Sequence, residues 1–302
     1  MDDHNKACEY AFKECQLIVF VGAVGIAVRT IAPYIKNKLV DPAVLSVDEG
    51  GNFVIPLLSG HIGGANGFAK VLAKVIKATP VVTTATDVNK LFAVDEWAAR
   101  NNMIINSMKA AKDFAAALVD GQEVGLLTDY PIISALPRQI VLKDKGVTGL
   151  AITKNRNVKP FDLTVQLLPR NIYLGIGCRR GTTLESIETL VLPKLKELGI
   201  DLRTIVGVAS VDLKKDEAGL LNFAAKYNWE ISFFTAEELQ NAAGEFSSSD
   251  FVKSVVGVSN VCERSAVLAA NNGSIISSKC SLNGVTLAVA EADIVLDFEK
   301  LS

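Results

Sequence analysis

Between Ser46 and Lys70 the chain reads SVDEGGNFVIPLLSGHIGGANGFAK, so two glycine-rich turns bracket one short apolar run. Each turn carries groups able to move a proton. In the first, Asp48 and Glu49 precede Gly50 and Gly51. Such carboxylates could act as base or ligand, but Asp and Gly are also what a tight β-hairpin demands, and the hairpin is the stronger reading. In the second, GHIGGAN sets His61 just ahead of a helix whose first residues include Gly63 and Gly64. Glycine weakens a helix, so a pair at its start points to something approaching the backbone closely. The free amides of a helix start suit a carboxylate or a developing oxyanion, and an imidazole beside them can give or take a proton. A partly buried histidine capping a turn fits the same residues equally well.

Two further segments add polar groups. VVTTATDVN, Val81 to Asn89, runs from a strand into a hydroxyl-rich loop. Open α/β sheets bind ligands at such strand ends, although threonines also cap turns without any further role. GIGCRRGTTLE, Gly175 to Glu185, follows a strand and opens a helix. Its glycines at 175, 177 and 181 miss the dinucleotide fingerprint, whose third glycine would fall where Arg180 stands. A dinucleotide is disfavoured, and paired Arg179 and Arg180 over helix amides suit carboxylates instead. Thr182 and Glu185 have capping-box spacing, and Pro193 is expected to kink the helix or end its regular part. Cys262 lacks a neighbouring histidine to activate it and reads as a buried, inert thiol, while Lys214 and Lys215 read as a solvated face.

The elements that must position these groups come from a chain of 302 residues, 49% hydrophobic and 21% charged. That is an ordered globular composition, and a length that favours two domains. The longest apolar stretch, Leu17 to Val28, is interrupted by two glycines and stopped by Arg29, too short to cross a bilayer. The start, MDDHNKACEY, lacks the basic and apolar parts of a secretory signal, so a cytoplasmic protein is expected. Five scattered cysteines and two histidines make a protein-built metal site unexpected. A net charge of −2 and a pI near 5.8 provide no field for nucleic acid or an anionic membrane. An anionic ligand must be held by local arginines and lysines.

LIVFVG at Leu17, VLSV at Val44, PVVTT at Pro80 and VGLLT at Val124 read as strands alternating with helices, the rhythm of a parallel, helix-covered sheet. In one of those helices Ala65, Phe68, Ala69, Leu72 and Ile76 form an apolar stripe, with Asn66, Lys70, Lys74 and Lys77 opposite. QIVL, GLAIT and LTVQLL follow, and IYLGIG, TIVGVAS, ISFF, SIIS and VTLAVA continue the pattern beyond Pro169. The expected fold is α/β with two domains, 1–168 and 169–302, each a mostly parallel sheet flanked by helices. SSSD, Ser247 to Asp250, reads as a loop ending in a helix N-cap.

VGAVGIAVRTIAP, VDEGG, LLSGHIGGAN, VVTTATD, GIGCRRGT, DLKKDEAGL and VGVSNVCE, in this order from about Leu17 to Glu291, resemble the cobalt-precorrin-5A hydrolase family of anaerobic cobalamin biosynthesis. Family members carry a further strand and helix before this run. Here sixteen residues precede Leu17, so the chain is short at its N-terminus by that pattern. The resemblance implies hydrolytic opening of the ring A δ-lactone of a cobalt-bearing tetrapyrrole, with carbon 20 leaving as acetaldehyde. It implies that cobalt belongs to the substrate and that the protein carries no cofactor of its own. With that reaction in view, His61 or Glu49 is the expected general base, and amides near Gly63 and Gly64 the oxyanion donors. Asn66 and Thr84 would orient the lactone, Arg29, Arg179 and Arg180 would bind peripheral carboxylates, and Asp48 joins the substrate-binding set. The alternatives are a non-catalytic tetrapyrrole carrier or subunit working with neighbouring pathway enzymes, and a nucleotide-dependent oxidoreductase built on the second-domain loop.

Overall fold

The computed structural model describes residues 2–37, 40–61, 63–153, 158–244, 246 and 260–299. The SSSD segment and the opening of VGVSNVCE lie outside the described residues. The fold is α/β, and its strands form three sheets rather than two. The first contains β1 (Leu17–Val21), β2 (Ala43–Val47), β3 (Phe53–Leu58) and β4 (Thr79–Pro80), in that order. β1 and β2 run parallel, and a hairpin turns β3 back against β2. With it go α1 (Asp2–Glu14), α2 (Val24–Ile31) and α3 (Ala65–Ile76). PVVTT was expected as a full strand, but the strand covers only Thr79–Pro80; the amides of Thr79 and Val81 on either side donate to Asn52, just before β3, and to Val54 within it, and Pro80 turns its nitrogen to the open edge of the sheet.

The second sheet runs β5-β9-β8-β6-β7, built from β5 (Met103–Ile105), β6 (Val124–Thr128), β7 (Ile140–Leu142), β8 (Gly146–Ile152) and β9 (Phe161–Pro169). Helices α4 (Ala85–Val88), α5 (Val94–Arg100) and α6 (Met108–Val119) lead into it, and Trp97, Phe114, Leu118, Leu126 and Leu150 fill its core. The third sheet runs β12-β11-β10-β14-β13, from β10 (Ile172–Cys178), β11 (Ile205–Val211), β12 (Glu230–Phe234), β13 (Ser274–Leu282) and β14 (Val285–Glu291). It is flanked by α7 (Leu184–Glu197), α8 (Ala218–Lys226), α9 (Ala236–Gln240) and α10 (Val261–Ala269).

Three local expectations are corrected. The buried face of α3 is Ala65, Asn66, Ala69 and Ala73, while Phe68 and Ile76 are exposed. Three alanines let the helix sit close on β2 and β3, and Asn66 turns inward because hydrogen-bond partners await it there. The cap of α7 is Thr183, accepting from the Ser186 amide, whereas Thr182 donates its hydroxyl to the Arg179 carbonyl and makes no box with Glu185. Pro193 does not end α7, which continues through it to Glu197.

After β14 the chain returns to the second sheet. Leu296 exchanges backbone hydrogen bonds with Pro131 and Ile133, Phe298 stacks on Trp97 at 4.7 Å, and the Trp97 indole donates to the Asp297 carbonyl at 3.0 Å. The C-terminal residues thereby complete the core that α5 begins.

β10 and α10 touch at Gly175, where a Cβ would fall 1.8 Å from the Cys262 carbonyl oxygen. Backbone cannot yield as a side chain does, so Gly175→Ala should lower stability by about 3 kcal/mol through overpacking. Urea unfolding measures it, and a loss below roughly 0.5 kcal/mol would show that strand and helix separate freely.

Candidate active site

The turn after β3 is held by its own backbone. The Ser59 hydroxyl donates to the Asp41 carbonyl at 2.9 Å, and the amides of Gly64, Ala65 and Asn66 donate to the carbonyls of His61, Ser59 and Gly60. Gly64 caps α3 at φ +79°, a left-handed conformation that glycine adopts without strain. A Cβ on Gly63 would fall 2.4 Å from the Ser59 Cβ. Both glycines thus serve the tightness of the turn, and the Gly64 amide is already committed to His61.

The same turn brings His61 and Asn66 to Thr84, which lies past β4 at the end of the sheet where β3 finishes. All three meet at Asp87, in α4. The Asp87 Oδ2 accepts from the Thr84 hydroxyl at 2.6 Å and from Asn66 Nδ2 at 2.9 Å, and lies 3.2 Å from His61 Nε2. Its Oδ1 accepts from Lys70 Nζ at 2.7 Å, and Asn66 Nδ2 also reaches the Thr84 hydroxyl at 3.1 Å. The other imidazole nitrogen, Nδ1, lies 3.4 Å from Asp95 Oδ1 in α5. Both ring nitrogens therefore face carboxylates.

Two positive and two negative groups balance here when His61 is protonated. The Asp95 hydrogen bond raises the His61 pKa above its usual value; burial opposes this, and the charges of Asp95 and Asp87 reinforce it. Asp87 is the nearer carboxylate, but it shares its charge among Lys70, Asn66 and Thr84, so Asp95 pulls harder on the ring. For Asp87 itself burial disfavours ionisation, but the hydrogen bonds from Lys70 and Thr84, the Lys70 charge and His61 outweigh it and hold the carboxyl down at about 2. Asp95, also against its burial, is lowered by the hydrogen bond and charge of His61.

Of the residues expected at the site, His61, Asn66 and Thr84 are thus brought together. Glu49 and Asp48 are not. They sit in the β2–β3 hairpin, where Asp48 accepts from the Phe53 amide at 2.6 Å and from Asn52 at 2.9 Å. His61 follows the far end of β3, and six extended residues span about 20 Å. Arg29 lies exposed in the last turn of α2, its guanidinium turned back toward Gly25 in the first turn. Arg179 and Arg180 belong to the third sheet. Arg180 is tied to Asp216 and donates to the Leu213 carbonyl at 2.9 Å, leaving Arg179 with no side-chain partner among the described residues. Lys214 was expected in solvent but is mostly buried, 3.6 Å from Glu217, whose other oxygen accepts from the Gly181 amide. Cys262 is buried, and burial pushes its thiol up to about 11.

Three site residues were missed. Asp87 ends the noted TATD run and stands one helical turn beyond Thr84, a spacing that places the two side chains together. Lys70 falls on the polar side of α3 and is exposed there, as its spacing implies, but nothing in the spacing shows its ion pair with Asp87. Asp95 gives no signal at all, since acidic residues in a first helical turn are common. Among the described residues no group of three or more His, Cys, Asp or Glu side chains gathers as metal ligands, and no helix is long and apolar enough to cross a membrane. Beside the centre, Lys70 and Asp87 enter the wall of a cavity of about 460 Å³ bounded by α5, residues 135–138 and the returning C-terminal residues.

Fold and site define an α/β protein with a histidine held between carboxylates at the end of its first sheet, next to a groove. Family models described as the cobalamin synthesis G N-terminal, the cobalamin biosynthesis central region and the cobalamin synthesis G C-terminus match residues 6–87, 92–169 and 172–290. The chain is 36% identical over 295 residues to the cobalt-precorrin-5A hydrolase of Salmonella typhimurium, covering 93% of this chain and 84% of that one. Identity to the enzyme of the same name from Priestia megaterium is 31% over 298 residues, covering 92% and 79%. A crystal structure of a cobalamin biosynthesis protein G homolog from Sulfolobus solfataricus is 23% identical, aligning over 97% and 93% of the two chains with a TM-score of 0.39. This chain belongs to the cobalamin synthesis G family.

Because its folded pKa is raised, protonated His61 stabilises the fold fully below about pH 6.5, and that contribution is lost as pH rises through the higher folded value. With only two histidines in the chain, the imidazole signal of His61 can be followed by NMR. Its midpoint should lie above 6.5 and move down in Asp95→Asn. An unchanged midpoint in that variant would mean that Asp95 does not govern the ring.

Proposed function

We propose that this protein is a cytoplasmic cobalt-precorrin-5A hydrolase. It opens the ring A δ-lactone of cobalt-precorrin-5A with water and releases acetaldehyde, giving cobalt-precorrin-5B. The observation that carries this reading is the His61 ring held between Asp87 and Asp95, in a chain 36% identical to a cobalt-precorrin-5A hydrolase. Cobalt arrives with the macrocycle, and the work of the protein is positioning and proton transfer.

Asp95 at Nδ1 fixes the ring, and Nε2, resting on Asp87 in the free protein, is the nitrogen that turns to the lactone. Neutral His61 takes a proton from water as its oxygen bonds to the lactone carbonyl carbon. The Lys70 ammonium, 56% exposed, faces the oxyanion that forms, a role better suited to it than to the committed Gly64 amide. Collapse breaks the acyl–oxygen bond, and the imidazolium returns its proton to the departing oxygen on carbon 20. When that hydroxyl loses its proton again, its oxygen becomes the aldehyde carbonyl and the carbon–carbon bond to the macrocycle breaks. The electron pair stays with the conjugated ring, and acetaldehyde leaves.

His61→Ala should reduce acetaldehyde release by about a hundredfold or more, the usual contribution of an acid–base group. Glu49→Gln, at the other end of β3, should keep activity within about twofold, because no reacting group lies there. Anaerobic turnover assays decide between them. Full activity in His61→Ala, or abolition by Glu49→Gln, would move the base to the hairpin, and a wild-type protein that binds the macrocycle without releasing acetaldehyde would be a carrier.

A further inference from the structure

The groove beside the His61 centre has the chemistry of a binding site for a flat, apolar molecule edged with carboxylates. At one end are Lys70 and Asp87, so the cavity is continuous with the proposed reaction centre. Four cations face it, Lys70, Lys90, Arg100 and Arg138, against the carboxylates of Asp87, Glu96 and Glu299. Lys70 is paired with Asp87 and Arg100 with Glu96. Lys90 and Arg138 are exposed and have no carboxylate partner among the described residues. They share the groove with an apolar lining of Phe92, Trp97, Leu136 and Phe298, in which Trp97 is buried and the half-buried Phe298 stacks on it at 4.7 Å, a support that holds the Phe298 ring in place. A volume of about 460 Å³ lies within the range of small-molecule pockets, roughly 300–1,000 Å³.

From this we infer that the groove is the seat of the tetrapyrrole, with Lys90 and Arg138 clamping peripheral carboxylates while the macrocycle packs against the apolar lining at Leu136 and Phe298. The inference rests on the hydrolase reading for the identity of the ligand. Charge decides between this cavity and its equal in volume between the second and third sheets. The latter is lined by Glu197, Asp201 and Glu291 without a lysine or arginine, the wrong sign for a polycarboxylate. Arg138 suits the clamp because a planar guanidinium can hold a carboxylate through two hydrogen bonds, whereas Lys90 supplies a point charge. The site also explains why the chain returns from the third sheet to the second after β14, because Phe298 reaches the groove only by that path.

Calorimetric titration with cobalt-precorrin-5A, alongside acetaldehyde assays, tests the assignment. Lys90→Met combined with Arg138→Met should weaken binding at least tenfold, raise KM more than it lowers kcat, and flatten the salt dependence of affinity, with an unchanged thermal midpoint. Lys90→Arg combined with Arg138→Lys, which keeps both charges, should recover part of the affinity and guards against a folding artefact. Wild-type affinity in the methionine double variant, or no binding by the wild type, would overturn the groove assignment. If wild-type protein binds without releasing acetaldehyde while the double variant binds weakly, the hydrolase reading fails and the groove assignment stands.

Discussion

The carboxylate of Asp87 is the point on which the first sheet and its site depend. Only 12% exposed, it accepts hydrogen bonds from Lys70, Asn66 and Thr84 and lies against His61, which together come from the β3–α3 turn, from α3 and from the segment after β4. A charge in that position is stable only while such partners surround it, because removing one from a buried ion cluster leaves desolvation uncompensated. The local sequence is shaped to supply them. The paired glycines tighten the turn that carries His61, and the alanine face of α3 brings Asn66 down to the sheet, while Lys70 reaches Asp87 from the exposed side of the helix. The dense backbone bonding of the turn keeps the ring from swinging freely.

A second constraint fixes the imidazole from its other side. Asp95 comes from α5, whose Trp97 is buried in the core of the second sheet, so the ring spans two packed units. The arrangement follows the logic of an oriented acid–base histidine, with one nitrogen anchored and the other available by exchange of a single weak contact. Length does not distinguish the two imidazole contacts, 3.2 Å to Asp87 and 3.4 Å to Asp95; what differs is that Asp87 keeps Thr84 at 2.6 Å, Asn66 and Lys70 when the ring leaves it, so its contact with His61 is the one that can be exchanged. Closure of the groove by Phe298 also binds the end of the chain to α5, coupling the third sheet to the wall of the site.

Much of this was legible in the residues. Strands from alternating β-branched runs and the chemistry of the GHIGGAN turn could be read because each is written locally, in periodicity or in turn composition. His61, Asn66 and Thr84 are flagged by such local signals. Asp95 is not, since its role arises from packing of α5 beside the turn. The stripe of α3 was misread because the helix is apolar on two sides, and burial follows the small alanines and not the larger Phe68 and Ile76. Glu49 is plausible from composition alone, and only the length of β3 separates it from His61. The return of residues 296–299 to the second sheet depends on contacts far apart in the chain, as in the bond from Trp97 to Asp297, 200 residues on, which no local pattern encodes.

The central claim is that Asp87 and His61 act as one unit. A double-mutant cycle on kcat with Asp87→Asn and His61→Ala tests it, since groups that work together lose their effect together. If the account is right, each single variant is strongly impaired and the double variant is no slower than His61→Ala alone. Effects that multiply, each variant slowing the reaction by its own factor whatever stands at the other position, would contradict it.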